Sequence, residues 1–97
     1  MALIPSKGTS ETRTADADLV ARLRAADTTA YEELYRRHGS RLYNLAYRML
    51  GQAADAEDLL QETFLQVFRR IDTFKGDAAL GTWLYRLAMN LCLDRLR

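Results

Sequence analysis

Between Asp55 and Phe74 the apolar residues Ala56, Leu59, Leu60, Phe64, Val67, Phe68 and Ile71 recur at steps of one, three and four. That spacing lines one face of an α-helix, and Asp55 is placed to cap it. A second stripe, Tyr31, Leu34, Tyr35, Leu42, Leu45, Ala46 and Met49, predicts a helix running to Leu50. Thr29 and Glu32 have the spacing of a capping box at its start, and Gly51 supplies its stop. Gly39 lies inside this stretch, where glycine costs about 1 kcal/mol relative to alanine and marks a place for a bend. A shorter helix over 16–26 carries Leu19, Val20 and Leu23 on one face, with Asp16 as its N-cap and "DTT" as its break. After a loop at 75–81, Thr82 is placed to cap a last helix, 83–97, that buries Leu84, Leu87, Ala88 and Leu91.

No stretch alternates like a strand, and no segment repeats. The only proline sits in residues 1–15, a Ser/Thr/Gly-rich segment without periodicity that reads as a flexible tail. Each helix is too short to be stable by itself in water, so the helices must pack together. The prediction is an all-α fold, a compact bundle of about four helices over 16–97.

Composition narrows the function classes. The 97 residues, 48% hydrophobic and 28% charged, suit one soluble globular domain. A net charge of +1 gives no electrostatic case for nucleic acid at the level of the whole chain. Charge is unevenly placed, however: 55–72 is mostly acidic, and the balance turns basic from Lys75 onward. Cys92 is the single cysteine, so no internal disulfide forms, which fits a cytoplasmic protein. No apolar run has transmembrane length, and "MALIPSK" lacks the charged and apolar parts of a signal peptide.

Function must then lie in what the core stripes leave over. On the third helix Asp58, Gln61, Leu65, Arg69 and Asp72 form a second stripe, with Glu62 at its edge. A leucine among acids, an amide and an arginine suits a docking surface, or equally a solvated face carrying one stray apolar residue. On the fourth helix Trp83, Arg86, Asn90, Leu93 and Arg97 share one side. Aromatic faces stack on bases, arginines hold phosphates and amides pair with base edges, so this row suits a nucleic-acid strand. The alternative has Trp83 covering the core beside solvated arginines. Between Phe74 and Trp83 the loop residues Gly76, Ala78, Ala79 and Gly81 leave backbone open, and an unpaired base has room to enter there against an aromatic wall.

These residues carry a resemblance. "DAEDLLQETFLQVFRRIDTFKGD" followed by "TWLYRLAMNLCLDRLR" is similar to conserved region two of bacterial RNA polymerase sigma factors of the extracytoplasmic-function (ECF) group, over about 16–97. The resemblance implies transcription initiation as a monomer, with RNA polymerase core and promoter DNA as partners and an anti-sigma protein as a possible regulator. Asp58, Gln61, Glu62, Leu65 and Arg69 would dock on the clamp coiled coil of the β′ subunit. Phe74, Lys75, Gly76, Asp77, Ala78, Ala79, Leu80 and Thr82 would capture a base flipped from the non-template strand of the minus-ten element. Trp83, Arg86, Asn90 and Arg97 would line the separating strand. Where the family has loop hydroxyls and an aromatic, this chain has Ala78, Ala79, Leu80 and Gly81, and Met89 stands where a polar or basic residue is common. The family continues beyond the position of Arg97 into a helix-turn-helix domain, which this chain lacks.

Two other classes remain as comparisons. A helical protein-interaction module without DNA binding would need only the third-helix stripe. An enzyme would need Asp55, Asp58 and Glu62, or His38, to hold a metal, but the inward-facing Glu-x-x-His pair of bundle metal sites is missing. No catalytic residue, metal or cofactor is therefore expected. With Lys75, Arg86, Arg95 and Arg97 all on phosphates, the salt slope for single-strand binding would be roughly −3.

Overall fold

The computed structural model describes residues 16–97, and the expected tail at 1–15 lies outside them. Four α-helices follow in order: α1 over 16–24, α2 Thr28–Leu50, α3 Ala53–Arg70 and α4 Leu80–Leu96. A 3₁₀ turn, Ile71–Thr73, extends α3 toward the loop that leads into α4. Among the described residues there is no strand, as the patterning predicts, and no helix is long and apolar enough to cross a membrane.

The three longer helices pack on one another, and α1 closes the core at one end. Leu19, Val20 and Leu23 of α1 meet Leu34, Leu42 and Leu45 of α2, Leu60 and Val67 of α3, and Leu80, Leu84 and Ala88 of α4. A smaller cluster of Ala46, Ala56, Leu59 and Cys92 joins α2, α3 and α4. Burial pushes the Cys92 thiol up, away from the reactive thiolate.

The helix starts differ from those expected. Asp27, not Thr29, caps α2: its carboxylate accepts from the Thr29 N–H at 2.9 Å and from the Thr29 hydroxyl at 2.8 Å. The same residue pairs with Arg22, which also reaches Glu33 at 2.9 Å and Asp18 at 3.5 Å. The Arg22 contact holds the Glu33 carboxyl below its usual range. Gln52, not Asp55, occupies the N-cap of α3, and Asp55 instead places its charge in the first turn, near the positive end of the helix dipole. Asp16 is itself helical, and its carboxylate is engaged elsewhere. The chain turns from α1 into α2 at Ala26, which adopts a φ of 60°.

Gly39 does not bend α2. It is buried, and the place where its Cβ would stand faces the Tyr35 ring at 3.4 Å, so its missing side chain makes a seat for that ring. Gly51 ends α2 as expected, at a φ of 84° with its N–H donating to the Tyr47 carbonyl at 2.8 Å. An alanine there has the space it needs but must adopt a left-handed backbone. Gly51→Ala is therefore expected to lower stability by about 1 kcal/mol, read as a fall in thermal midpoint without change in helix content.

Candidate nucleic-acid interface

The loop between α3 and α4 is shorter than its sequence suggests. Ala79 is the N-cap of α4, and Leu80, Gly81 and Thr82 already belong to the helix, whose first turn closes with the Trp83 N–H donating to the Ala79 carbonyl. Thr82 is therefore not the cap. Only 75–79 remain as loop, with Gly76 at a φ of 81° making the turn.

Leu80 corrects the expectation more sharply: it is fully buried, packed in the central core, and cannot touch a nucleotide. Phe74 is also buried, at 8% exposure, and its ring lies against Trp83 with centroids 5.2 Å apart and planes inclined at 59°. The two aromatics do not flank an open slot. They support one another beneath the loop, and Trp83 stays half-buried beside it. A base therefore has the outer backbone of 75–79 available, not the space between the rings. Lys75, Gly76, Asp77 and Ala79 are exposed, as is Thr82, and Ala78 is partly so.

The row on α4 has the expected orientation. Arg86, Asn90, Leu93 and Arg97 are all exposed on the helix that starts beside this loop. Among its basic residues, Arg95 is committed to Glu62 at 3.0 Å and to the Asp55 carbonyl at 3.3 Å, and Arg97 pairs with Asp94 at 3.6 Å. Three neighbours have no signal in the local sequence. Arg41 of α2 lies over the Tyr85 ring, 4.7 Å from its centroid. His38 faces Gly81, where a Cβ would come within 3.3 Å of the imidazole. Burial lowers the His38 pKa, with Asp16 pulling the other way. Arg24 donates to the Phe74 carbonyl at 2.6 Å. All join residues more than forty positions apart, which no periodicity can reveal.

On α3, Asp58, Gln61, Leu65 and Arg69 are exposed, Leu65 at 47%. Glu62 departs from the stripe through its pair with Arg95. Phe68, expected in the core, is 58% exposed. The buried place on that face goes to Thr63, which satisfies its hydroxyl on the Leu59 carbonyl at 2.8 Å. Phe68 instead joins Gln61, Phe64 and Leu65 along a cleft of about 440 Å³ that Ala26, Thr28 and Tyr31 complete. The Tyr31 hydroxyl is buried there without a hydrogen-bond partner. Among the described residues no three His, Cys, Asp or Glu side chains gather as metal ligands.

Comparison with known proteins gives a consistent set of similarities. Residues 34–97 match the family described as Sigma-70 region 2. The chain is 43% identical over 82 residues to the ECF RNA polymerase sigma factor SigM of Mycobacterium tuberculosis H37Rv, covering 84% of this chain and 42% of that protein. It is 37% identical over 78 residues to the ECF RNA polymerase sigma factor SigW of Bacillus subtilis, covering 80% of this chain and 42% of the relative. It thus spans about two fifths of the length of these relatives. Among solved structures it is similar to an engineered region 2 of sigmaE in complex with GTAAAA, with a TM-score of 0.74, 32% identity and 84% of each chain covered.

Proposed function

This chain belongs to the sigma-70 region 2 family, in the form carried by ECF RNA polymerase sigma factors, and from that premise we propose that it recognises promoter DNA in transcription initiation. In this reading one face of the bundle holds RNA polymerase while the 75–79 loop and the α4 row hold the non-template strand of the minus-ten element. The observation that carries it is the exposure of Arg86 and Asn90 in register beside an open backbone loop, on a helix whose other face is fully packed. The similar sigmaE domain is described in complex with GTAAAA, which makes that hexamer the first probe to use here.

An extruded base would lie on the loop backbone against the outer edge of Trp83, with Arg86 on a phosphate and Asn90 on a base edge. The missing loop hydroxyls leave backbone groups and Asp77 as the polar surface that chooses the base. Because Arg95 and Arg97 are ion-paired, Lys75 and Arg86 remain as the main phosphate contacts. Two contacts give a salt slope of roughly −1.4, shallower than four would. Stacking adds about 1–3 kcal/mol per base. Binding by the isolated chain is then weak, and polymerase raises it by holding protein and DNA together. The domain binds in this role and makes no covalent bond, and it works where the polymerase is, in the cytoplasm.

For the polymerase, the α3 stripe of Asp58, Gln61, Leu65 and Arg69 supplies a polar rim, and Leu65 with Phe68 an apolar centre, which is the anatomy of a protein interface. The clamp coiled coil of β′ is the partner this surface suits, and an anti-sigma protein would compete for the same ground. Leu65→Asp is expected to abolish capture by core polymerase in a pull-down, while binding to a GTAAAA strand and the thermal midpoint stay as in the wild type. Retained capture would remove α3 from the interface.

A further inference from the structure

The family match begins at residue 34, so α1 lies outside it, yet α1 holds both ends of the loop. At the entry, Arg24 Nη2 donates to the Phe74 carbonyl at 2.6 Å, across 50 positions of sequence. At the exit, Asp16 Oδ2 accepts the Leu80 N–H at 3.2 Å, across 64 positions. That second contact does what Ala79 cannot: the N-cap of α4 offers no side-chain acceptor, and the first-turn amides of a helix need one. Asp16 also sets a negative charge at the positive end of α4. Between the two polar ties, Leu19, Val20 and Leu23 pack in the same cluster as Phe74 and Leu80. Arg37 stands 3.9 Å from Asp16, and His38 is adjacent to Gly81, so α2 backs the exit tie.

We propose that α1 is a brace for the recognition loop, with Asp16 and Arg24 as positioning residues that fix where 75–79 begins and ends and hence which base it accepts. The proposal rests on the DNA-binding reading, and it assigns to α1 a part in specificity rather than in affinity alone. Ties at both ends of a five-residue segment hold the backbone donors and acceptors in one arrangement. Without them the loop samples several, and a base-selective surface becomes a tolerant one.

The test uses the 97-residue chain with Asp16→Ala and Arg24→Ala, and the conservative variants Asp16→Asn and Arg24→Lys. Each is titrated with GTAAAA and with a scrambled hexamer, following the emission of Trp83, the only tryptophan. Amide hydrogen exchange of 75–80 is measured in parallel without DNA. The alanine variants are expected to lose roughly tenfold in the ratio of the two affinities and to exchange faster at Leu80, with both readouts restored by the conservative variants. A lower thermal midpoint with an unchanged affinity ratio below it would overturn the brace and leave α1 a packing helix. A wild-type chain that binds both strands equally would overturn the DNA-binding reading. In that case the exchange measurement decides the brace alone, and unchanged exchange at 75–80 would sink it.

Discussion

Leu84→Ala is expected to remove about 2–5 kcal/mol of stability, the range for deleting a buried leucine side chain when the surroundings close only partly around the cavity. Leu84 has no exposed surface and sits mid-way along α4, within the cluster that all four helices share. A domain of this size has a total of about 5–15 kcal/mol. The loss is therefore a large share of it, read as a fall of roughly 10 °C or more in thermal midpoint. Phe68→Ala is the instructive partner. The heptad-like spacing of α3 gives Phe68 the same standing as Val67, but its ring is more than half exposed. Its truncation is expected to cost about 1 kcal/mol or less, within the range of surface changes. Equal losses from the two variants in a denaturant titration would contradict the assigned core.

The second large effect concerns the α4 row. Arg86→Ala combined with Asn90→Ala is expected to weaken binding to a GTAAAA strand by about tenfold to a hundredfold. That range follows from the loss of one charge-assisted hydrogen bond worth about 1.5–3 kcal/mol. Both side chains are exposed, so thermal midpoint and helix content should not move. Capture by core polymerase should survive as well, the mirror image of Leu65→Asp. Binding should also depend less on salt than in the wild type, because one phosphate contact is gone. A double variant that binds the strand normally would leave only the protein-interaction module standing.

How far the sequence could carry this reading depends on the range of each interaction. The four helices, the stop at Gly51 and the exposed rows on α3 and α4 all follow from local periodicity, and the residues that carry them lie within one or two turns of each other. Helix starts were less legible because several polar residues compete at each. Asp27 outdoes Thr29 by bonding both its amide and its hydroxyl, and Asp16 caps a helix other than its own. Leu80 reads as loop because it follows four small or flexible residues, yet full burial beside Leu84 draws it into α4 and shortens the loop. The Phe74 and Trp83 rings look, in one dimension, like two walls of a slot. Only the three-dimensional chain shows them touching. The braces from α1 and the stacking of Arg41 on Tyr85 join distant positions and leave no local trace.

The central claim is that a single nucleotide leaves its stack and settles on the outer backbone of 75–79. Its most direct measurement is an NMR titration of the ¹⁵N-labelled chain with GTAAAA, with a scrambled hexamer as control. The expected result is a set of saturating shifts at Lys75, Gly76, Asp77, Ala78 and Ala79, continuing through the Trp83 indole, Arg86 and Asn90, with contacts from one base to the loop amides. Shifts confined to the basic side chains, the same for both strands and absent from the loop, would contradict it.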